Sequence, residues 1–444
     1  MDLTQLIKSF PNDFIFGTAT SSYQIEGNSF GKCGESHWDS FARKQNSTYK
    51  NQNGSVACNH IQHWENDLDL IKNAGFKAYR FSFSWPRLLL DGKKKRNIDG
   101  FSFYDRLLDG MLERGLLPFA TLYHWDLPQA LGEIGGWTNR DTCKWFGDYT
   151  EAVATSFGDR LHSVATINEP WCVAWLSHYL GQHAPGLKDL GAAVKSMHYI
   201  LVAHGMALDV MKNLSQSNIG IVLNKEHCSP ATNSDEDILA CDLSDEIHNL
   251  WFDEAIFKGR YPSRTLEIFE KFLPENFATD LSAICQKIDW IGINYYTRSI
   301  IKADVSEENI GFSSICGELP KTDMGWEIFP KGLTKLVSRQ IEDYSKEIPI
   351  HITENGMANN DNLIDGVTND HQRVNYYMQH LQEIKLLLDN SAPIKSYFAW
   401  SLLDNFEWAF GYEKRFGLVY VDFETQNRFP KKSYYCFQEG LKSR

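Results

Sequence analysis

The sequence predicts an α/β protein built as a single (β/α)8 barrel spanning residues 1–444. Three observations carry that expectation. Eight short runs rich in apolar, β-branched and aromatic residues recur at roughly 40- to 70-residue intervals along the chain. Amphipathic stretches with helical spacing lie between them. The polar residues that break the apolar pattern collect at the C-terminal ends of the runs, where barrel enzymes carry their chemistry. No linker, low-complexity tract or change of composition divides the chain.

In order, the expected strands are 14–20, 78–85, 117–124, 163–168, 218–224, 290–296, 349–354 and 396–402. The first, Phe14-Ile-Phe-Gly-Thr-Ala-Thr20, follows Pro11. The second, Ala78 to Trp85, carries one charge, Arg80, which a buried strand tolerates only with a partner. The third ends on His124, the fourth on Asn168 and the fifth on Asn224. The sixth, Trp290-Ile-Gly-Ile-Asn-Tyr-Tyr296, ends in amide and phenol. The seventh ends on Glu354, and the eighth passes through Trp400. Stretches 66–74 and 101–112 show the i, i+3, i+4 spacing of core-facing helices. An open doubly wound sheet with a second domain would also fit the spacing. It would favour GxGxxG at the first strand–helix turn, and Gly17-Thr-Ala-Thr-Ser-Ser22 does not fit.

Composition excludes several classes of function. The net charge is −13, and the longest basic run is the short Lys93-Lys-Lys-Arg96, so the stripe that phosphate contacts require is missing and nucleic acid is not an expected partner. No segment reaches the length of a membrane span, and the N-terminus lacks a signal-peptide pattern, which together predict a cytoplasmic protein. Nine cysteines with no CxxC pair argue against a disulfide framework or a zinc site and fit a reducing compartment. Neither a metal nor another cofactor is expected. The expected partner is a small molecule; no motif bears on oligomeric state. The chain has 13 Trp, 19 Tyr and 27 Phe; most such rings pack cores, but several here sit beside polar residues at strand ends, where sugar faces stack.

Two segments concentrate the chemistry: Thr166-Ile-Asn-Glu-Pro170 and Ile352-Thr-Glu-Asn-Gly356. Each places one carboxylate where an apolar strand gives way to a loop, next to an amide. A carboxylate there can sit in a half-dry cleft that tunes its pKa. Two such groups, one protonated and one ionised, are what glycosidic bond hydrolysis requires.

These segments resemble the acid/base and nucleophile motifs of the β-glucosidases of glycoside hydrolase family 1, and the likeness runs from about residue 10 to 440. The resemblance implies a TIM barrel whose extended βα loops form the active-site cleft, and a retaining β-glucosidase acting on terminal non-reducing β-D-glucosyl residues, with possible side activity on β-galactosides and β-fucosides. It implies Glu169 as acid/base and Glu354 as nucleophile, with Arg80 supporting Glu354. Phe16-Gly-Thr-Ala-Thr-Ser-Ser-Tyr-Gln-Ile-Glu-Gly27 and Tyr123-His-Trp-Asp-Leu-Pro128 resemble two further family signatures and assign Gln24, His124 and Trp125 to the sugar pocket. Asn168 is implied at the 2-hydroxyl, Tyr296 at the nucleophile with Asn294 close by, and Trp400 at the sugar's apolar face. Leu403-Asp-Asn-Phe-Glu-Trp408 and Gly411-Tyr-Glu-Lys-Arg-Phe-Gly417 supply Glu407, Trp408 and Phe416. Trp326 resembles the aglycone platform; Trp171, Trp175, His178 and Asn224 either line the same entrance or pack in the core. Two other readings are weighed. A 6-phospho-β-glucosidase would want donors and positive charge where Glu407 stands. A non-catalytic sugar-binding barrel would be expected to have lost one of the two carboxylates.

Overall fold

Eight parallel strands close into a barrel in the computed structural model, which describes residues 2–306, 310–344 and 346–444. They are β1 (Ile15–Ala19), β2 (Ala78–Ser82), β3 (Leu117–Tyr123), β4 (Ser163–Asn168), β5 (Asn218–Pro230), β6 (Trp290–Asp304), β7 (Ile350–Asn355) and β8 (Ile394–Trp400). The neighbours run β5-β4-β3-β2-β1-β8-β7-β6, and pairing of β5 with β6 closes the ring. Helices separate the strands, among them His60–Ala74, Ile98–Glu113, Asp141–Phe157, Leu190–Leu214, Pro330–Asp343 and His371–Asp389. Their ends follow local chemistry. Asp189 caps the amide of Ala192, and Gly75 ends the first helix at φ +85°, a value that costs glycine least. Among the described residues, no helix is long and apolar enough to cross a membrane.

The barrel interior changes character along its axis. At the floor, Phe398 and Phe119 pack edge to face with centroids 4.9 Å apart. Gly17 is required there, since a Cβ would come within 2.4 Å of the Phe398 ring. Burying one such phenyl group contributes about 1.5–3 kcal/mol. Two residues further along the same strand faces, Ala78 gives way to Arg80 and Phe398 to Trp400. The apolar floor therefore carries a polar upper layer, and the site stands on it.

The expected strands match the eight observed ones, with differences at β2, β5, β6 and β8, the last running from Ile394 to Trp400 rather than over 396–402. β2 stops at Ser82, because Pro86 sits in the first turn of a short helix, Trp85–Leu88. β5 and β6 run to Pro230 and Asp304, well past their expected ends, and pair beyond the rim as far as Pro230 with Ile301. A strand not anticipated from sequence, Gly311–Ile315, folds back antiparallel on β6. Register shifts occur between Ala165 and Asn168, Ile293 and Asn294, and Ile352 and Asn355. Such irregularities re-aim side chains, and each lies where its strand delivers a polar group to the upper layer.

Candidate active site

A cavity of about 310 Å³ opens above the C-terminal ends of the strands. Eleven of the residues selected from sequence line it: His124, Trp125, Glu169, Asn294, Tyr296, Trp326, Glu354, Trp400, Glu407, Trp408 and Phe416. The other three stand directly behind the lining, each bonded to a residue that lines it. Arg80 bonds Glu354, Asn168 bonds Asn294 and His124, and Gln24 bonds Glu407.

The two carboxyls have different surroundings. Glu354, at the end of β7, receives Arg80 Nη1 on Oε1 at 2.5 Å and the Tyr296 hydroxyl on Oε2 at 2.6 Å. Both donate to a carboxylate oxygen, and the guanidinium brings a positive charge against it. Glu169 follows β4 and receives Asn294 Nδ2 on Oε1 at 2.5 Å, with the Cys172 thiol also bonded to it. Burial and the charge of Glu354 push Glu169 up to about 8, against the smaller opposing pulls of Asn294, Cys172 and Arg80. One carboxyl thus has a cation against it, and the other keeps its proton near neutrality.

Asn168 joins the two groups. Its Oδ1 accepts from Arg80 Nη2 at 2.7 Å and Asn294 Nδ2 at 3.1 Å, so its Nδ2 is the atom that faces His124 Nε2 at 3.2 Å. His124 is held neutral, its pKa lowered by burial and by the charge of Arg80. Its Nδ1 has no protein partner, which leaves a polar atom for a ligand hydroxyl or a water.

Opposite stands Glu407, whose Oε2 accepts from Gln24 Nε2 at 3.3 Å. Burial, then the charge of Glu354, then that of Glu169 raise it to about 8, with Gln24 pulling the other way. Gln24 is fixed by Ser21, Asn405 and the Phe406 carbonyl. Trp408 packs 5.9 Å from Tyr23, nearly parallel, and 4.7 Å from Trp125. Glu169, Trp125 and Trp408 have φ of +53°, +79° and +48°. Non-glycine residues there cost about 1–3 kcal/mol each and gather at functional sites. The backbone amide of Glu169 is held by Val222 O at 2.9 Å, and the Trp125 indole by Asn168 O at 3.0 Å.

Of the four aromatic and polar residues left between entrance and core, Trp171 and Asn224 line the cavity. Trp175 packs on Tyr179 at 4.5 Å and Phe269 at 6.2 Å, and His178 bonds the Val173 carbonyl, so both belong to the core. Sequence reasoning missed Cys172, His183, Lys225, Glu226 and His248, all in the lining. The signal for Lys225 and Glu226 was weak: polar residues just past Asn224 read as a loop, whereas the strand continues to Pro230. Lys225 is buried against Asp253 and so brings no free charge to the cavity.

A pH dependence follows. If Glu169 is the acid/base that the resemblance implies, it is active below its pKa, and kcat/KM should fall as pH rises through about 8, the value to which Glu169 is pushed. Glu169→Gln, assayed on an activated aryl glucoside, should lose the Glu169 part of that alkaline limb and keep only what Glu407 contributes. An unchanged limb would transfer the acid role to another group.

Known proteins share this architecture. The profile of glycosyl hydrolase family 1 matches residues 6–444. The chain is 42% identical over 441 residues to Beta-glucosidase A of Thermotoga maritima, covering 98% of each chain. It is 38% identical over 453 residues to a bifunctional beta-D-glucosidase/beta-D-fucosidase of Bifidobacterium breve, covering 96% of each. The solved structure of the family 1 β-glucosidase from Thermotoga maritima superposes with a TM-score of 0.95 over 98% of both chains. A two-carboxylate cavity on a closed (β/α)8 barrel, matched over almost the whole chain, places this protein among glycosidases: it belongs to glycosyl hydrolase family 1.

Proposed function

We propose that the protein is a retaining β-glucosidase that removes terminal non-reducing β-D-glucosyl residues by double displacement, with Glu169 as acid/base and Glu354 as nucleophile. The observation that carries this reading is the pair of buried carboxyls in one cavity with opposite surroundings. Glu354, held by Arg80 and Tyr296, attacks the anomeric carbon as a carboxylate. Glu169 gives its proton to the leaving oxygen. Once the glycosyl-enzyme has formed, the negative charge of Glu354 is consumed in the ester bond. The main charge opposing ionisation of Glu169 is then gone, its pKa falls, and it takes a proton from the attacking water. Asn168, oriented by Arg80 and Asn294, accepts or donates at the 2-hydroxyl, whose bond tightens as the anomeric carbon becomes cationic. Trp400 and Trp408 offer apolar faces to the pyranose ring. The whole of 1–444 acts as one catalytic unit. Nine free cysteines support the cytoplasm as its compartment.

Hydrolysis of p-nitrophenyl β-glucoside, with the β-anomer formed first by proton NMR, tests the proposal; first release of the α-anomer, or no turnover, defeats it. Side activity on β-fucosides is expected, in line with the bifunctional relative. A non-catalytic role is disfavoured, since both carboxyls are present and differently held.

The 6-phospho reading is opposed by electrostatics. The cations at the cavity are already engaged, Arg80 by Glu354 and Lys225 by Asp253, while Lys414 pairs with Asp323 at 3.2 Å and Glu413 at 3.4 Å. No unengaged lysine or arginine remains among the described lining residues to hold a phosphate dianion. Glu407→Ser should lower kcat/KM for β-glucosides by about tenfold to a hundredfold, as expected for losing two hydrogen bonds worth roughly 1–3 kcal/mol together. It should also narrow the preference over 6-phosphoglucosides. A wild-type protein faster on 6-phosphoglucosides than on plain glucosides would reverse this assignment.

A further inference from the structure

We infer that Ser21 and Asn405 are positioning residues. Together they fix the Gln24 amide with its nitrogen toward Glu407, and so set how the site reads the sugar hydroxyls remote from the scissile bond. This rests on the β-glucosidase reading. Residues 21–24 read Ser-Ser-Tyr-Gln, the S-x-x-Q pattern of a capping box. Ser21 does precede a short helix, Ser22–Ile25, yet its hydroxyl bonds none of the helix amides. A serine in that place ordinarily satisfies a free amide of the first turn. Here the hydroxyl is given instead to Gln24 Oε1, at 2.6 Å.

Acceptors of fixed polarity hold the other end of the Gln24 amide. Its Nε2 donates to Asn405 Oδ1 and to the Phe406 carbonyl, both at 3.0 Å, and to Glu407 Oε2 at 3.3 Å. Asn405 is itself oriented, because its Nδ2 donates to Ser401 Oγ at 3.2 Å and to the Leu403 carbonyl at 3.3 Å. Ser401 in turn donates to the same carbonyl at 2.6 Å. A reversed Gln24 would set Oε1 against the Phe406 carbonyl and Asn405 Oδ1, and an acceptor buried against acceptors is unsatisfied. Ser21, Gln24, Ser401 and Asn405 are all buried, so water cannot relieve such a clash. Two hydrogens on Nε2 serve three acceptors, and Glu407 has the longest of the three bonds. Donation by Ser21 to Oε1 polarises the amide and strengthens what Nε2 can give. Glu407 stands across the cavity from the carboxyls that work at the anomeric carbon, so it faces hydroxyls of the far ring edge. Held by an N–H, it meets those hydroxyls as an acceptor. Galactosides differ from glucosides at C4, on that edge.

The test is a cycle that removes one hydroxyl from the enzyme and one from the substrate. Ser21→Ala should lower kcat/KM for p-nitrophenyl β-glucoside about three- to tenfold, the range for one hydrogen bond. The 2-deoxyglucoside, altered at the other end of the ring, should show the same factor. With the 4-deoxy- or the 6-deoxyglucoside the factor should shrink below about twofold, and the preference for glucoside over galactoside should narrow. Asn405→Ala, which removes an acceptor of Gln24 Nε2, should repeat the pattern. Ser21→Cys keeps a weak donor of similar shape and should show the pattern with a smaller factor, so it answers the question if Ser21→Ala does not fold. An equal loss on all four substrates from either position, or no loss on any, overturns the inference, because a merely structural role cannot distinguish one substrate hydroxyl from another. Failure of the wild type to hydrolyse p-nitrophenyl β-glucoside would instead defeat the underlying reading.

Discussion

Glu354→Ala should lower turnover by at least about 10⁴-fold, equivalent to about 5.4 kcal/mol of transition-state stabilisation. No other carboxylate can take its place, because Glu169 is bonded to Asn294 and Cys172, and Glu407 to Gln24. The substitution also strands Arg80, buried with only 2% of its side chain exposed, and breaking such a pair costs roughly 3–5 kcal/mol of stability. Thermal unfolding should accompany the kinetics so that inactivity is not mistaken for unfolding. Azide or formate should answer both losses. A small anion can enter the vacated space, meet the Arg80 charge and attack the anomeric carbon from the side Glu354 used. The product should be the α-glucosyl azide. A folded variant that azide does not rescue, or one that yields the β-azide, would remove Glu354 from the nucleophile's role.

Glu169→Ala should depend steeply on the leaving group. General acid catalysis supplies about 10²–10⁴-fold, and only where the departing oxygen needs a proton. Cellobiose should therefore lose about 10³-fold in kcat/KM, whereas 2,4-dinitrophenyl β-glucoside should lose little. The second step suffers as well, since nothing deprotonates water. A glycosyl-enzyme should accumulate on the activated substrate, and azide should discharge it as the β-glucosyl azide. Opposite azide anomers from the two variants would be hard to obtain under any exchange of roles. Equal losses on both substrates would void the assignment. Loss of Glu169 also removes one of the two acceptors of Asn294 Nδ2, the other being Asn168 Oδ1, so a modest change at the 2-hydroxyl contact is expected from the same variant.

Much of the barrel was legible because strand and helix periods are local. The fourth strand was read as 163–168 and is Ser163–Asn168. Errors arose where the local signal was ambiguous. Pro86 ends β2 early although Phe83 and Trp85 read as strand. The polar residues after Asn224 and Tyr296 read as loop, yet β5 and β6 pair with each other there, and pairing stabilises extended chain that periodicity does not announce. Trp171 and Trp175 look alike in sequence. The π-helical stretch Cys172–Tyr179 begins just after the first, and only the first reaches the cavity.

Which groups stand at the strand ends is written in the chain: two glutamates, their amide neighbours, an arginine within a strand that demanded a partner, and a carboxylate where a phosphate site would want cations. Those are properties of residue type and local pattern. How the groups are charged and aimed comes from the folded barrel. Glu169 and Glu407 are both glutamates beside loops, and neither sequence context predicts a pKa near 8; that comes from burial and from Glu354, 185 and 53 residues away in the chain. The orientation of the Asn168 amide depends on Arg80 and Asn294, brought in by β2 and β6. Desolvation and Coulomb interactions act through space and grow as water is excluded, so they are set by the closing of the barrel.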